Sequence, residues 1–116
     1  MQYLLLIYAN EAETAALPEG DMATMMADYG EFTKSIVQAG NFKAGDRLRP
    51  VSTVTTVRVR NGKAMTTDGP FAETREQLGG YYLVEAANLD ETTAIAARIP
   101  GAKHGSIEVR PVWMQG

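Results

Sequence analysis

Thr66-Thr67-Asp68-Gly69-Pro70-Phe71-Ala72-Glu73-Thr74-Arg75-Glu76-Gln77-Leu78-Gly79-Gly80-Tyr81-Tyr82-Leu83-Val84-Glu85 holds the sharpest contrasts in the chain. Three residues that each constrain the backbone come first. Gly69 can take a positive φ, Pro70 fixes φ near −65°, and Asp68 can accept from backbone N–H groups just downstream. Glu73, Arg75 and Glu76 then read as a solvated turn. Beyond the Gly79-Gly80 pair, Tyr81 to Ala87 is the most apolar run in the second half of the chain and is predicted to be a buried strand. A hinge with an acid at its corner, followed by a central strand, is the frame for the rest.

Its counterpart is Gln2 to Tyr8, a near-continuous apolar run with the pattern of a strand covered on both faces. That run lacks a basic flank and a cleavage site and is too short to span a membrane, so the expectation is a cytoplasmic protein. Asn10 to Leu17 reads as a loop or short turn. Pro18, Gly20 and Asp21 mark the start of a helix, with Asp21 as its N-cap. Met22, Met25, Met26, Tyr29, Phe32 and Ile36 recur at helical spacing up to Gly40. This stripe reads as a core face with flexible gap-fillers; an adaptable binding groove is the other reading.

Arg47-Leu48-Arg49 forms a short extended piece. Val51 to Arg60 is predicted to be a strand with one wet face, turned at Asn61-Gly62 into a return strand over Lys63 to Thr67. Asn88 and Glu91 have the spacing of a capping box for a second helix, which Pro100-Gly101 ends. Its buried face is expected at Ala94, Ile95, Arg98 and Ile99, with the arginine stem along the core. Gly105 to Trp113 is the last strand. Ile107, Val109 and Trp113 point one way and Glu108 and Arg110 the other, and Pro111 marks an edge or an end.

The order is β-α-β(β)-β-α-β, an α+β ferredoxin-like arrangement with an antiparallel sheet and two helices on one face. In spatial order 4-1-3-2 the two most apolar strands take the centre, and 51–60 and 106–113 take the edges. Two helices cover one face only. The other carries Tyr and Leu and is costly to leave wet. Sheet-to-sheet dimerisation would cover it and leave a cleft between sheet and partner.

Length and composition set the limits. The 116 residues fit one domain, 1–116, long enough to bury a core without disulfides or metals. With no cysteine there is no thiolate nucleophile and no Cys-type zinc site. The net charge of −3 comes from mixed signs without a basic stripe, which argues against a nucleic-acid binder. His104 is the single histidine, and no carboxylate cluster has metal-ligand spacing, so no metal site is expected. Gly79-Gly80 lacks the Lys-Ser/Thr of a phosphate loop and precedes a strand, so neither nucleotide nor other cofactor is implied.

The candidates for chemistry are few. Asp68 is either a general base in a partly desolvated cleft or the cap of an Asx-turn. Glu108 and Arg110 share a strand face and would orient an anionic or polar ligand, or contact each other or a partner subunit. Glu85 is a charge in an apolar strand and needs a partner, for which Arg110 is the obvious choice. Tyr8, Tyr81 and Tyr82 offer phenols, or are core residues with a wet hydroxyl.

Asp68-Gly69-Pro70-Phe71-Ala72-Glu73-Thr74, Gly79 to Glu85, the opening Tyr3 to Tyr8 and the ending Gly105 to Val112 resemble the YCII-related proteins, in the subgroup named for its Asp-Gly-Pro-Phe motif. The resemblance runs over essentially the whole chain. It implies a dimeric α/β barrel that dimerises through its sheet. It also implies either a small-molecule enzyme, as in relatives that act as dehydrochlorinases or look related to muconolactone isomerases, or a regulatory partner of an extracytoplasmic-function sigma factor. Those enzymes rely on a His–Asp pair. Here His104 lies just before the last strand, so the pair does not carry over and only Asp68 maps onto a motif residue.

Overall fold

The computed structural model describes residues 1–113 of the chain; 114–116, the end of the expected domain span, lie outside it. Strand β1 is Gln2–Ala9 and strand β2 is Phe42–Arg47. Strands β3 and β4 are Thr55–Arg60 and Lys63–Asp68, β5 is Gln77–Glu85, and β6 is Ser106–Pro111. The helices are α1 (Glu11–Ala15), α2 (Glu19–Gln38) and α3 (Leu89–Ala97). Four strands form one antiparallel sheet in the order β2-β5-β1-β6, and β3 and β4 pair separately. Counting only the strands of the main sheet, this is the ferredoxin-like order expected, with the two apolar strands at its centre.

One edge is not the strand that the sequence indicates. The Val- and Thr-rich segment 51–60 stays out of the main sheet, and Phe42–Arg47 takes the edge beside β5. The sequence Phe-Lys-Ala-Gly-Asp-Arg has little strand character, but an edge strand needs only one paired side. Gly45 suits this edge because a Cβ there would come within 2.7 Å of the Tyr82 ring. The hairpin itself forms as expected: Asn61 and Gly62 have φ of 53° and 75°, the two positive values of a type I′ turn.

Tyr3, Leu5 and Ile7 of β1 alternate with Leu4, Leu6 and Tyr8, and the first set is buried under the helices. Phe32 and Ile36 of α2, Tyr82 and Val84 of β5, and Ile95, Ala96 and Ile99 complete the core. The buried face of α3 and the residues just after it is thus Thr92, Ile95, Ala96 and Ile99, and Ala94 and Arg98 are exposed. Instead of lining the core, the Arg98 guanidinium stacks 5.5 Å above the Phe32 ring. Trp113 is 93% exposed and does not join Ile107 and Val109.

The capping box is present: the Glu91 N–H donates to Asn88 Oδ1 at 2.9 Å, and Glu91 Oε2 accepts from the Ala87 N–H at 2.7 Å. Helix α2 starts two residues before Asp21. Pro18 occupies the N-cap, and Glu19 and Asp21 fall in the first turn, where negative charge suits the helix dipole. Its C-terminal turn closes as expected, with Gly40 at φ 82° and the Asn41 N–H donating to the Ile36 carbonyl. The stretch read as a loop contains α1, capped by Asn10, whose Oδ1 accepts from the Glu13 N–H. Among the described residues no helix is long and apolar enough to cross a membrane.

Candidate functional site

Helix α2 stands off the sheet over much of its length between Met22 and Thr33. Beneath Met22, Met25, Met26, Tyr29 and Thr33 lies a cavity of about 580 Å³. The cause is local: Gly45, Gly79 and Gly80 lie on neighbouring strands and send up no side chains. The stripe on α2 therefore has two functions. Its C-terminal half, Phe32 and Ile36, is core. In its N-terminal half, Met22 and Met25 are half-buried, Met26 is 40% exposed, and all three border the cavity. Helix α1 and Gln77 form the near wall, and Gly101 and His104 border the cavity after α3.

The polar groups here are ordered. Tyr82 and Thr33 share a hydroxyl–hydroxyl hydrogen bond of 2.7 Å that ties β5 to α2. Tyr29 Oη accepts from the Gly101 N–H at 3.2 Å. Burial raises the Tyr29 phenol above the usual tyrosine range, against a smaller lowering by that N–H. Glu11 is occupied structurally, its carboxylate accepting from the Val51 N–H at 3.1 and 3.3 Å. Asp46 accepts from the Tyr81 hydroxyl at 2.7 Å, and this acceptor raises the Tyr81 phenol.

Arg47 stands apart from these. It pairs with Gly80 at the sheet edge, and its guanidinium reaches only the sulfur of Met26, at 3.9 Å. Among the described residues no carboxylate lies within 4.0 Å of it. A guanidinium donates in a planar fork matched to carboxylates and other oxyanions. Chemically, the cavity can hold an apolar body against thioethers and rings and fix one anionic group at its rim.

Of the seven residues singled out from the sequence for chemistry, Tyr81 and Tyr82 border this cavity and the other five do not. Asp68 ends β4 on the separate hairpin and is exposed, and among the described residues its carboxylate accepts no hydrogen bond. On the capping reading it would hold this turn, which is held by backbone groups instead. The Gly69 N–H donates to the Val54 carbonyl at 2.7 Å, and the Gly69 carbonyl accepts from Thr56 Oγ1 at 2.7 Å.

Tyr8, Glu108 and Arg110 lie together on the sheet face opposite the helices. There the Glu108 carboxylate, as an acceptor, raises the Tyr8 phenol, burial adds to the rise, and Arg110 opposes it. Glu108 and Arg110 form no ion pair with each other. Glu85 does not pair with Arg110: its carboxylate takes the N-terminal ammonium at 2.9 Å. That ammonium also donates to the Ala86 carbonyl. The expected cleft was on the open sheet face, whereas the cavity lies on the helix side.

The cavity-bordering residues not singled out from the sequence include Arg47, Thr33 and Gly45. In the sequence Arg47 reads only as part of an extended piece. A better signal was available in the methionines spaced along one helix and in three glycines on strands below.

A four-stranded antiparallel sheet with helices on one face and a cavity between them defines an α+β protein of ferredoxin-like type. Its sequence matches the model of the YCII-related domain over residues 1–114, and the chain belongs to that family. It is 38% identical over 114 residues to an uncharacterised protein of Rhizobium meliloti (strain 1021), a match that covers 97% of this chain and 92% of the relative. Among solved structures it is similar to 5-chloro-2-hydroxyhydroquinone dehydrochlorinase from Burkholderia phenoliruptrix, in complex with 2,5-dihydroxybenzoquinone. That likeness has a TM-score of 0.57 and 13% identity, and covers 100% of this chain and 96% of the other.

Proposed function

We propose that the chain binds a small organic anion in the cavity between α2 and the sheet, with Arg47 holding the charged group. The carrying observation is the Arg47 guanidinium, without an ion-pair partner among the described residues, at the rim of an otherwise largely apolar space of about 580 Å³. That volume falls within the usual size of small-molecule sites, and a mostly apolar surface with polar groups placed around it is their usual chemistry. The methionines can repack around ligands of different outline. The dehydrochlorinase of the same fold is complexed with a small oxygenated ring compound, which has the size and polarity that this reading requires.

A second copy of the chain is the occupant we assign to the open sheet face. Leu4, Leu6 and Leu83 lie half-buried there, with no helix above them. It would close the sheet from below, on the face away from the cavity.

The test of binding is an NMR or calorimetric titration with aromatic carboxylates and hydroxyquinones, each beside its neutral ether or ester. The anions should bind and the neutral analogues should bind more weakly. Arg47→Met should reduce anion affinity by about 10- to 100-fold, the size of one charge-assisted hydrogen-bonded pair. Equal affinity of wild type and variant for the anions would overturn the assignment.

A further inference from the structure

The Asp-Gly-Pro-Phe stretch has no part in the cavity, although it is the most constrained stretch in the sequence. It is the root of a free-standing arm. Strands β3 and β4 pair over six residues each and have no substantial packing against any other helix or strand. The radius of gyration is 16.2 Å, against about 13 Å for a compact chain of this length.

The register places Val57 opposite Thr66 and Val59 opposite Ala64, on one face, and Arg58 opposite Met65 and Arg60 opposite Lys63, on the other. Val57 and Val59 are 60% and 61% exposed, and Phe71, just past the root, is 78% exposed. An isolated two-stranded ribbon is marginal in water, and one that shows its valines and a phenylalanine to solvent lacks the surface that would stabilise it.

We infer that this arm docks on a second copy of the chain, with Phe71 as its anchor and the Asp68-Gly69-Pro70 turn setting its angle. Charge selects the occupant. Arg58, Arg60 and Lys63 against Asp68 leave residues 55–68 at +2, so the remaining residues of the −3 chain carry −5. Among the described residues none of the three arm cations is in an ion pair. A basic arm meets its complement on the acidic body of another copy, and two arms exchanged about a two-fold axis satisfy both copies. The inference rests on the dimer placed on the open sheet face above and adds the arm to it. The turn geometry supports a structural role for the motif: Gly69 has φ 95°, a value that aims the arm and that other residues rarely adopt.

Sedimentation equilibrium on the intact chain tests both parts separately. Wild type should be dimeric at tens of micromolar, and Phe71→Ser and Val57→Asp should each raise the dissociation constant by about tenfold or more. Arg58→Glu with Arg60→Glu should weaken the dimer too, and should flatten its dependence on salt. These positions are exposed, so the charge-reversed variant keeps the test alive should an apolar variant fail to fold. A monomeric wild type would overturn the dimer and the arm together. A dimer whose dissociation constant stays within about twofold in all three variants would overturn the arm while leaving the sheet-mediated dimer standing.

Discussion

The Tyr82 ring occupies the space that a side chain at Gly45 would need: a Cβ there would sit 2.7 Å from Tyr82 Cδ1. The ring cannot easily give way. It is held by the Thr33 hydroxyl and by edge-on contacts with Phe32 and Phe42 at 5.2 and 6.4 Å. Gly45→Ala should therefore cost about 1–3 kcal/mol, the range for overpacking a tight site. Gly30 lies in α2 with nothing within 4 Å of its missing Cβ, so Gly30→Ala should stabilise by about 0.5–1 kcal/mol. Urea midpoints should move in opposite directions for the two variants.

The turn at the root of the arm gives a second contrast. Gly69 has φ 95°, where an alanine is strained, whereas Glu73 is exposed and accepts no side-chain hydrogen bond among the described residues. Gly69→Ala should cost more than about 1 kcal/mol and Glu73→Ala less than about 0.5 kcal/mol. Equal midpoints would show that the turn relaxes without cost.

Alkaline pH offers a third check. Burial, ahead of every other influence, raises the folded-state pKa of Tyr29. A phenol whose folded pKa lies above its unfolded value adds stability that is complete below the unfolded pKa, near 10. That contribution fades as pH rises through the folded pKa. Tyr29→Phe should therefore lessen the loss of stability above about pH 10 and remove one late-titrating phenol from the absorbance titration at alkaline pH. Loss of amplitude near pH 10, and not at the late end of the titration, would place the Tyr29 hydroxyl in water.

What could be read in the sequence was what period and turn chemistry encode. The strand at β1, the Asn61-Gly62 turn, the Asn88–Glu91 cap and the centrality of the two apolar strands all follow from local rules, and all appear in the fold. The edge at Phe42–Arg47 did not, because its pairing is decided by the exposed edge of β5 and by Gly45 fitting over Tyr82, both tertiary facts. The Val-rich hairpin read as a sheet strand for the converse reason: strand propensity records an affinity for a partner and not which partner it finds. The site was legible only in pieces. The methionine stripe was visible, but its division into core and cavity lining depends on glycines brought beneath it from β2 and β5.

Asp68 provides the decisive comparison between the motif and the cavity. From the sequence it was the candidate base, and in the fold it stands on the arm, exposed, outside the residues that border the cavity. Replacement by asparagine keeps the side chain's shape and removes its charge. If the cavity binds ligand through Arg47, Asp68→Asn should leave anion affinity unchanged within about twofold, the ordinary effect of a surface substitution. The same variant makes the arm more basic, from +2 to +3 over residues 55–68, so the dimer should tighten slightly at low salt, an effect lost at high salt. Arg47→Met should show the reverse pattern, with weaker ligand binding and an unchanged dimer. Measuring both variants by ligand titration and by sedimentation separates the two sites. Loss of anion binding in Asp68→Asn, with the dimer intact, would return the motif aspartate to the binding site and remove Arg47 as its sole charged contact.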